Sequence, residues 1–283
     1  MRVWELESCE DFMRTCEDGW RLGWHEAHGG NLSYRLPGED VERIKEELTF
    51  DRPWLPLSVS VPGLGGELFL LTAGGSCFRD VMRKPEKTLG IVQVSPEGEA
   101  YRICWGLDGG AGRPTSELPA HLMNHQIKKQ VSGGAHRTIY HAHPSNIIAL
   151  SFVLPPSDQV FTRELWEMEP ECAMTFPQGI GVIPWKVPGQ REISCLSGEM
   201  MKRYDVILWA QHGLFCSAPS PWEALGLMHT VEKSAEMLVK VLSMTSEKRY
   251  YPSADQFREM SQALGLKLPE RFLYDKQAPG GNP

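Results

Sequence analysis

The stretch Thr138-Ile139-Tyr140-His141-Ala142-His143-Pro144 organises this sequence. Its β-branched and aromatic residues predict a strand that ends at the turn begun by Pro144. Because side chains alternate faces along a strand, His141 and His143 point to the same side. Two such imidazoles are half of a catalytic metal site, which usually has three protein ligands and one open position. A His-x-His pair alone is more often two ordinary histidines, so the metal prediction depends on a third ligand elsewhere.

The composition indicates a soluble globular protein. The 283 residues are 41% hydrophobic and 23% charged, enough for one large or two ordinary domains with a substantial core. The formal net charge is −7, which argues against a nucleic-acid or membrane-binding surface. No apolar run approaches the roughly 18 residues of a membrane helix, and the acidic N-terminus lacks an apolar signal core. We therefore expect a cytoplasmic protein.

The cysteines point to the same compartment. There are seven of them, scattered along the chain and never spaced as C-x-x-C. An odd number without a recognisable spacing is typical of reduced thiols, and neither a disulfide framework nor a structural zinc knuckle is expected.

The periodicities predict one α/β domain, in which a mostly antiparallel central sheet is covered by helices on both faces. The predicted strands are 32–36, 67–72, 91–94, 101–105, 138–143, 180–184 and 206–209. The predicted helices are 8–24, one that begins near 115–116, 145–152, 161–168, 190–203, a long one from 221, and 253–264. The domain is expected to span residues 1–275, with a surface insertion at 37–66 and a disordered tail at 276–283.

Side chains at three predicted helix starts define the boundaries. Ser8 with Asp11 resembles a capping box, and Ser220 with Glu223 forms another, with proline at the first helical position. Ser145 is expected to cap the short helix that follows the histidine strand. In the helix at 190–203, an amphipathic pattern predicts that Ile193, Leu196 and Met200 point inward.

Two segments could hold an anion. The strand at 67–72 runs into Ala73-Gly74-Gly75-Ser76, and a glycine-rich turn of this kind exposes backbone N–H groups. Thr115 or Ser116 is a natural N-cap, and free N–H groups at such a helix start suit a phosphate. Glu117 would lie in the first turn, where a carboxylate could simply complement the helix dipole.

Further histidines offer alternatives for the metal. His121 and His125 share a helical face, as zinc ligands sometimes do, but no third ligand belongs with them and they could simply cover a polar side. His212 interrupts two apolar runs in Gln211-His212-Gly213. It is either a core histidine with a hydrogen-bond partner or the third metal ligand.

Several short motifs occur in a defined order along the chain. They are Gly29-Gly30-Asn31-Leu32, Trp105-Gly106-Leu107, Pro114-Thr115-Ser116-Glu117-Leu118-Pro119-Ala120-His121, His141-Ala142-His143, Phe161-Thr162-Arg163-Glu164-Leu165-Trp166-Glu167, Pro184-Trp185, Val187-Pro188-Gly189 and Gln211-His212-Gly213. Together they resemble the class II, zinc-dependent sugar-phosphate aldolase family over about residues 12–245. The runs at 115–121 and 161–167 are specific to the branch of that family that acts on L-rhamnulose 1-phosphate.

The resemblance implies a metal site with an acid–base residue beside it. His141, His143 and His212 would bind one Zn²⁺ per subunit, and Glu117 would be the acid/base and a ligand in the empty site. The implied reaction is the reversible cleavage of L-rhamnulose 1-phosphate to dihydroxyacetone phosphate and L-lactaldehyde, through an enediolate stabilised by the metal.

The same resemblance implies how the substrate is held. Asn31, the turn from Gly74 to Ser76, Thr115 and Ser116 would hold the phosphate. A homotetramer with active sites near the subunit interfaces is expected, in which Glu171 reaches a site across a subunit contact.

Two departures from the family pattern fall at the phosphate end. His28 stands where related sequences have an asparagine, and Thr72-Ala73-Gly74-Gly75-Ser76-Cys77 replaces a Thr-Gly-Ser-Gly-Lys turn. The metal ligands and Glu117 are unaffected by either change.

Other functions with the same ancestry stay open. A fuculose-phosphate aldolase, a pentulose-phosphate 4-epimerase or a thioribulose-phosphate dehydratase would use the same metal chemistry. A non-catalytic binding protein like the adducin head is the alternative from another class. It should lack some of the three histidines or the glutamate, whereas this chain has all four.

Overall fold

A computed structural model describes residues 1–108, 112–187 and 189–275. Within these residues a single sheet of nine strands has the order β2-β5-β4-β3-β1-β6-β9-β8-β7. The strands are β1 Asn31–Arg35, β2 Leu55–Pro56, β3 Leu68–Thr72, β4 Leu89–Val94, β5 Ala100–Gly106, β6 Thr138–Ala142, β7 Ile180–Ile183, β8 Val206–Trp209 and β9 Gly213–Ala218. Neighbouring strands are antiparallel except for β7 and β8, which are parallel.

The helices of the described residues lie along the chain between these strands. They are α1 Glu7–Arg21, α2 Gly38–Ile44, α3 Pro85–Thr88, α4 Leu118–Val131, α5 Ser145–Leu150, α6 Asp158–Trp166, α7 Pro170–Thr175, α8 Arg191–Met201, α9 Pro221–Met244 and α10 Ala254–Leu264. No helix in the described ranges is both long and apolar enough to span a membrane.

The sheet is covered on both faces, because its strands alternate between two cores. On one face, Tyr140 and Ala142 of β6 are buried in the largest core cluster, together with residues of α1, α6 and α9. On the other face, Ile139 of β6 and Phe215 of β9 pack with Ile193 and Met201 of α8, and α4 lies against α8. The predicted fold class is therefore confirmed.

The segment 37–66, expected as a surface insertion, is built partly into the core. Ile44 belongs to the main cluster, and Val61 and Leu64 are buried beneath β3 and β4. β2 pairs with β5 at the edge of the sheet. The burial of these residues could not be predicted from the sequence, because isolated apolar residues among prolines, glycines and charged residues have no periodicity. The predicted tail at 276–283 lies outside the described residues.

Some helix starts differ from the prediction. Leu6, not Ser8, is the N-cap of α1, because the Ser8 hydroxyl donates to the carboxylate of Asp40 at 2.6 Å. At α9 the prediction is confirmed, since the Ser220 hydroxyl accepts from the Glu223 amide at 3.2 Å. The short helix α5 has Pro144 as its N-cap, and Ser145 is its first residue.

The inward face of α8 also differs. Ile193 is buried and Met200 packs partly against the core, but Leu196 is 36% exposed and was wrongly predicted to point inward. The helix α7 was not predicted, because six residues are too few for a clear period.

Candidate functional site

Three histidines meet where β6 and β8 end and β9 begins. His141 lies at the end of β6, opposite Phe215 of β9, and His143 follows two residues later. Residues 210–212 form the tight turn between β8 and β9, with Gln211 at φ 56°. A Cβ on Gly213 would lie 2.8 Å from the His143 ring and 3.0 Å from the His141 ring. Only glycine therefore lets this turn bring His212 against the other two rings.

The nitrogen atoms of these rings are arranged for one metal ion. One ligand nitrogen from each of His141, His143 and His212 lies within 4.8 Å of the others. The Nε2 atoms of His141 and His143 are 3.3 Å apart. Zn–N bonds of about 2.0–2.1 Å place two ligands of a tetrahedral site roughly 3.3–3.4 Å apart. The donor set and its spacing therefore fit a divalent metal.

Hydrogen bonds behind two of the rings hold them in the ligating tautomer. Nδ1 of His141 donates to the carbonyl of Leu214 at 2.9 Å, and Nδ1 of His143 donates to Glu26 Oε1 at 2.7 Å. A neutral imidazole with hydrogen on Nδ1 keeps a lone pair on Nε2, as a metal ligand must. Burial, followed by the neighbouring rings, holds the pKa of His141 well below its usual range. Burial also lowers the pKa of His212, to about 4.

Glu117 lies next to this cluster. Its Oε2 is 3.8 Å from Nε2 of His141, and the same oxygen accepts a hydrogen bond from Nδ2 of Asn31 at 2.9 Å. Burial raises the pKa of Glu117 above its ordinary value, opposed by the Asn31 hydrogen bond and by His143. The carboxylate can therefore exchange a proton with a group bound at the metal, or ligate the ion itself.

Glu117 was predicted to lie in the first turn of α4, but it is the N-cap residue of that helix. The Thr115 hydroxyl accepts from the Glu117 amide at 3.3 Å, but Thr115 and Ser116 lie two and one residues before the N-cap, so neither is the cap that was predicted. Because α4 begins at Leu118, the Glu117 side chain leaves the helix axis and points to the cluster of three histidines.

A cleft of about 200 Å³ opens over the cluster. The histidines, Glu117 and two glycine-containing loops form its walls, and four predicted substrate-binding residues line it: Asn31, Gly74, Thr115 and Ser116. Ser76 does not line this cleft, because its hydroxyl turns back to donate to the carbonyl of Ala73 at 2.8 Å. Glu171 is exposed on α7 and is not among the lining residues of its own chain.

The glycine-rich end of this cleft, where the phosphate was predicted to bind, has no lysine or arginine among its described lining residues. His28 lies at the mouth, where its Nδ1 is 3.5 Å from Sγ of Cys77. An anion there would meet backbone N–H groups, the hydroxyls of Thr115 and Ser116, and this imidazole.

A second, smaller cavity of about 30 Å³ adjoins Glu117 on its other side. Ser58 and Val59 reach it from the segment 37–66, and Arg191 reaches it from the start of α8. The segment with no predicted role therefore forms one wall of a cavity beside Glu117.

His121 and His125 do not form a metal site with a third ligand in the described part of the chain. Both rings are fully buried and face the Ser33 hydroxyl, at 2.6 Å from Nδ1 of His121 and 2.8 Å from Nε2 of His125. Ser33 and Glu26 were not predicted from the sequence. Ser33 could have been found, since it lies two residues after Asn31 on one face of β1. Glu26 has no such signal.

The comparisons with known proteins agree with this geometry. Residues 10–239 match the family described as Class II Aldolase and Adducin N-terminal domain. A protein of Mannheimia succiniciproducens named rhamnulose-1-phosphate aldolase is 42% identical over 257 residues, which are 91% of this chain and 94% of that protein. A protein of the same name from Yersinia pestis is 44% identical over 240 residues, 85% of this chain and 87% of the relative.

A solved structure shares the fold. The sugar-phosphate aldolase from Thermotoga maritima has a TM-score of 0.71 at 28% identity, with 84% of this chain and 97% of that chain covered. The family match, the relatives and the fold are consistent with the histidine cluster and its neighbouring glutamate. This chain therefore belongs to the class II aldolase and adducin N-terminal domain family.

Proposed function

We propose that the chain is a zinc-dependent aldehyde-lyase that reversibly cleaves L-rhamnulose 1-phosphate into dihydroxyacetone phosphate and L-lactaldehyde. The observation that carries this proposal is the position of Glu117 Oε2, 3.8 Å from a ligand nitrogen of a three-histidine cluster. The choice of substrate is supported by relatives named rhamnulose-1-phosphate aldolase that align over nearly the whole chain.

One zinc ion per subunit would be held by His141, His143 and His212. When bound, such an ion supplies a Lewis acid for the negative charge that develops on the ketone fragment. Three neutral imidazoles leave the full positive charge of the ion available, which carboxylate ligands would reduce.

Glu117 transfers the proton to and from C3 of the substrate. In cleavage, the C4 hydroxyl gives its proton to water and becomes the aldehyde carbonyl as the C3–C4 bond breaks. The bonding electron pair passes to C3 and is delocalised onto the C2 oxygen. Protonated Glu117 then gives C3 a proton and becomes a carboxylate, and in condensation this carboxylate takes the same proton back.

The phosphate would lie at the glycine-rich end of the cleft. Backbone amides of the turn at Gly74 and the hydroxyls of Thr115 and Ser116 are the proposed contacts, together with the amide hydrogen of Asn31 that no described residue accepts. The Ser76 hydroxyl is engaged elsewhere, so its backbone is the only part proposed to contribute.

The assembly proposed is a cytoplasmic homotetramer with active sites near the subunit interfaces. Glu171, exposed on α7, would contribute to the site of a neighbouring subunit. Size-exclusion chromatography with light scattering measures the subunit number, and Glu171→Ala should lower turnover without changing the zinc content.

A retro-aldol assay tests the reaction. L-rhamnulose 1-phosphate and L-fuculose 1-phosphate are compared side by side, with and without a chelator, and dihydroxyacetone phosphate is detected by a coupled enzyme. We expect cleavage of the rhamnulose ester that the chelator abolishes. Preference for the fuculose ester would change the substrate assignment, and cleavage of neither would overturn the lyase.

Glu117→Gln tests the proton-transfer role. The variant should keep its zinc and lose turnover by about 100-fold or more, as general acid–base groups contribute about 10²–10⁴-fold. Turnover at the parent rate would exclude the role of Glu117.

A further inference from the structure

A line of buried hydrogen bonds runs from α4 through β1 to Glu117. His125 Nε2 lies 2.8 Å from the Ser33 hydroxyl, which lies 2.6 Å from Nδ1 of His121. Nε2 of His121 then bonds to Oδ1 of Asn31, and Nδ2 of Asn31 donates to Oε2 of Glu117 at 2.9 Å. His121 and His125 are 0% exposed and Ser33 is 1% exposed, so water does not interrupt the line.

Both rings of this line are neutral. Burial lowers the pKa of His121 to about 3, and burial is also the main reason that the pKa of His125 lies well below its ordinary value. A neutral imidazole has one donor nitrogen and one acceptor nitrogen. A ring that accepts a hydrogen bond from one neighbour therefore donates to the other, and all bonds in the line point the same way.

Glu117 sets that direction when it is ionised, as in the form that takes the proton in condensation. A carboxylate only accepts, so Asn31 must donate to it and present its Oδ1 to His121. His121 must then carry hydrogen on Nε2 and accept from Ser33 at Nδ1. Ser33 in turn accepts from Nε2 of His125, so every hydrogen bond in the line points toward Glu117.

The opposite direction is disfavoured at the far end of the line. It requires a protonated Glu117, a flipped Asn31 amide and hydrogen on Nδ1 of both rings. Nδ1 of His125 is buried, and no described residue bonds to it. Buried backbone N–H groups without an acceptor are rarer than buried acceptors without a donor. The same preference favours an unprotonated Nδ1 on His125, and with it the direction that donates to Glu117.

We propose that His121 and Ser33, backed by His125, are positioning residues that hold the Asn31 amide, and through it the Glu117 carboxylate, in the orientation used for proton transfer. None of these three residues lines the cleft, so they act through Asn31 and not on the substrate. The inference rests on the proposed acid–base role of Glu117. Small misplacements of a reacting group cost much of its effect, about 10²-fold for 1 Å.

Two matched variants test the direction of the line. In His121→Gln the side-chain amide can place a donor where Nε2 lies, so the bond to Asn31 is kept. In His121→Asn the shorter side chain can reach only the position of Nδ1, so Ser33 keeps a partner but Asn31 loses its donor. Both replacement side chains are uncharged and both lack the imidazole ring. A difference between the two variants therefore reports the hydrogen bond to Asn31 and not the loss of packing.

We expect His121→Asn to lower kcat by about 10–100-fold, as for other supporting side chains behind a site, with KM nearly unchanged. His121→Gln should recover at least tenfold of that loss, and both should bind zinc and melt at similar temperatures. Equal kcat values in the two variants, or a loss confined to KM, would overturn the positioning role. His229→Ala replaces an exposed histidine that is not part of the line and serves as the control for mutagenesis itself.

Nuclear magnetic resonance of the unmodified chain gives a readout that needs no turnover. With ¹⁵N-labelled histidine, two-bond ring correlations should show the Nε2–H tautomer for both His121 and His125, assigned through the single variants. An Nδ1–H tautomer at His121 would contradict the proposed direction, whatever the turnover of the variants.

The two proposals can fail separately. If Glu117→Gln turns over normally, the acid–base role fails and the positioning role falls with it. If Glu117→Gln is inactive but His121→Asn and His121→Gln are equally active, only the positioning role is wrong.

Discussion

Glu26 accepts a hydrogen bond from Nδ1 of His143 at 2.7 Å, across 117 residues of sequence. The Glu26 side chain is 66% exposed, whereas His143 is largely enclosed in the cleft. The bond directs Nε2 of His143 toward His141 and makes the ring a better ligand. A carboxylate at the surface thus orients one ligand of the candidate metal site.

Removing this carboxylate should weaken metal binding. We expect Glu26→Ala to lower zinc affinity by about 10–100-fold, because the orienting partner of a ligating histidine is lost. Competition with a chromogenic chelator measures the affinity. Glu42→Ala, another exposed glutamate, is the matched control and should bind zinc as the parent does. An unchanged affinity in Glu26→Ala would show that the bond does not orient the ligand.

Loss of one ligand should remove the metal altogether. His212→Ala leaves two histidines, so the purified variant should contain little zinc by inductively coupled plasma mass spectrometry, although its fold is kept. His229→Ala lies outside the cluster and should retain the parent zinc content. If His212→Ala keeps a full equivalent of zinc with unchanged affinity, His212 is not a ligand.

Buried neutral histidines should make the stability depend on pH. Burial lowers the pKa of His25 to about 4 and that of His121 to about 3, whereas an unfolded histidine titrates near 6.5. Below pH 6.5 these histidines therefore bind protons in the unfolded chain but not in the folded chain. The stabilisation is fully present above pH 6.5 and is lost as the pH falls toward 4.

His121→Gln measures the contribution of one ring. Between pH 6 and 5 each such ring contributes a slope of about 1.4 kcal/mol per pH unit in the free energy of unfolding. We expect the slope of the variant to be smaller than that of the parent by about this amount in urea titrations with chelator present. Identical slopes would mean that His121 is charged in the folded state.

The Phe161–Glu167 run, part of the family resemblance, also has a structural role. Nε of Arg163 lies 2.7 Å from Oε1 of Glu167, and both side chains are almost fully buried. The guanidinium also donates to the carbonyl of Pro252 at 2.9 Å and to that of Phe272 at 3.3 Å. It thereby ties the C-terminal segment to α6.

Arg163→Ala should therefore destabilise the protein by about 1.5–3 kcal/mol, because it removes a buried hydrogen bond between charged groups, whereas Glu167 keeps its contact with Lys248. Arg258→Ala removes an exposed arginine with ion pairs to Asp255 and Glu270 and should cost much less stability, because solvent screens exposed pairs. Denaturant unfolding compares the two. Similar losses in both variants would contradict the structural role of Arg163.

Local patterns in the sequence determined several parts of this protein. The alternation in residues 138–144 placed His141 and His143 on one face, and the Ser220 cap marked the start of the longest helix. These predictions succeed because strand alternation and N-capping depend on residues only two or three positions apart. The family motifs added the third candidate ligand, His212, and the candidate acid–base residue Glu117, which no local period identifies.

The tertiary structure decided which faces meet. Glu26 reaches His143, and Ser33 joins His121 to His125, through contacts between residues 88 to 117 positions apart. It also turned Ser76 away from the cleft and gave the two histidines of α4 a shared hydroxyl in place of a metal. A sequence period indicates which side of an element is buried, but the partner on that side depends on how distant elements pack, and a buried polar group takes the partner that packing provides.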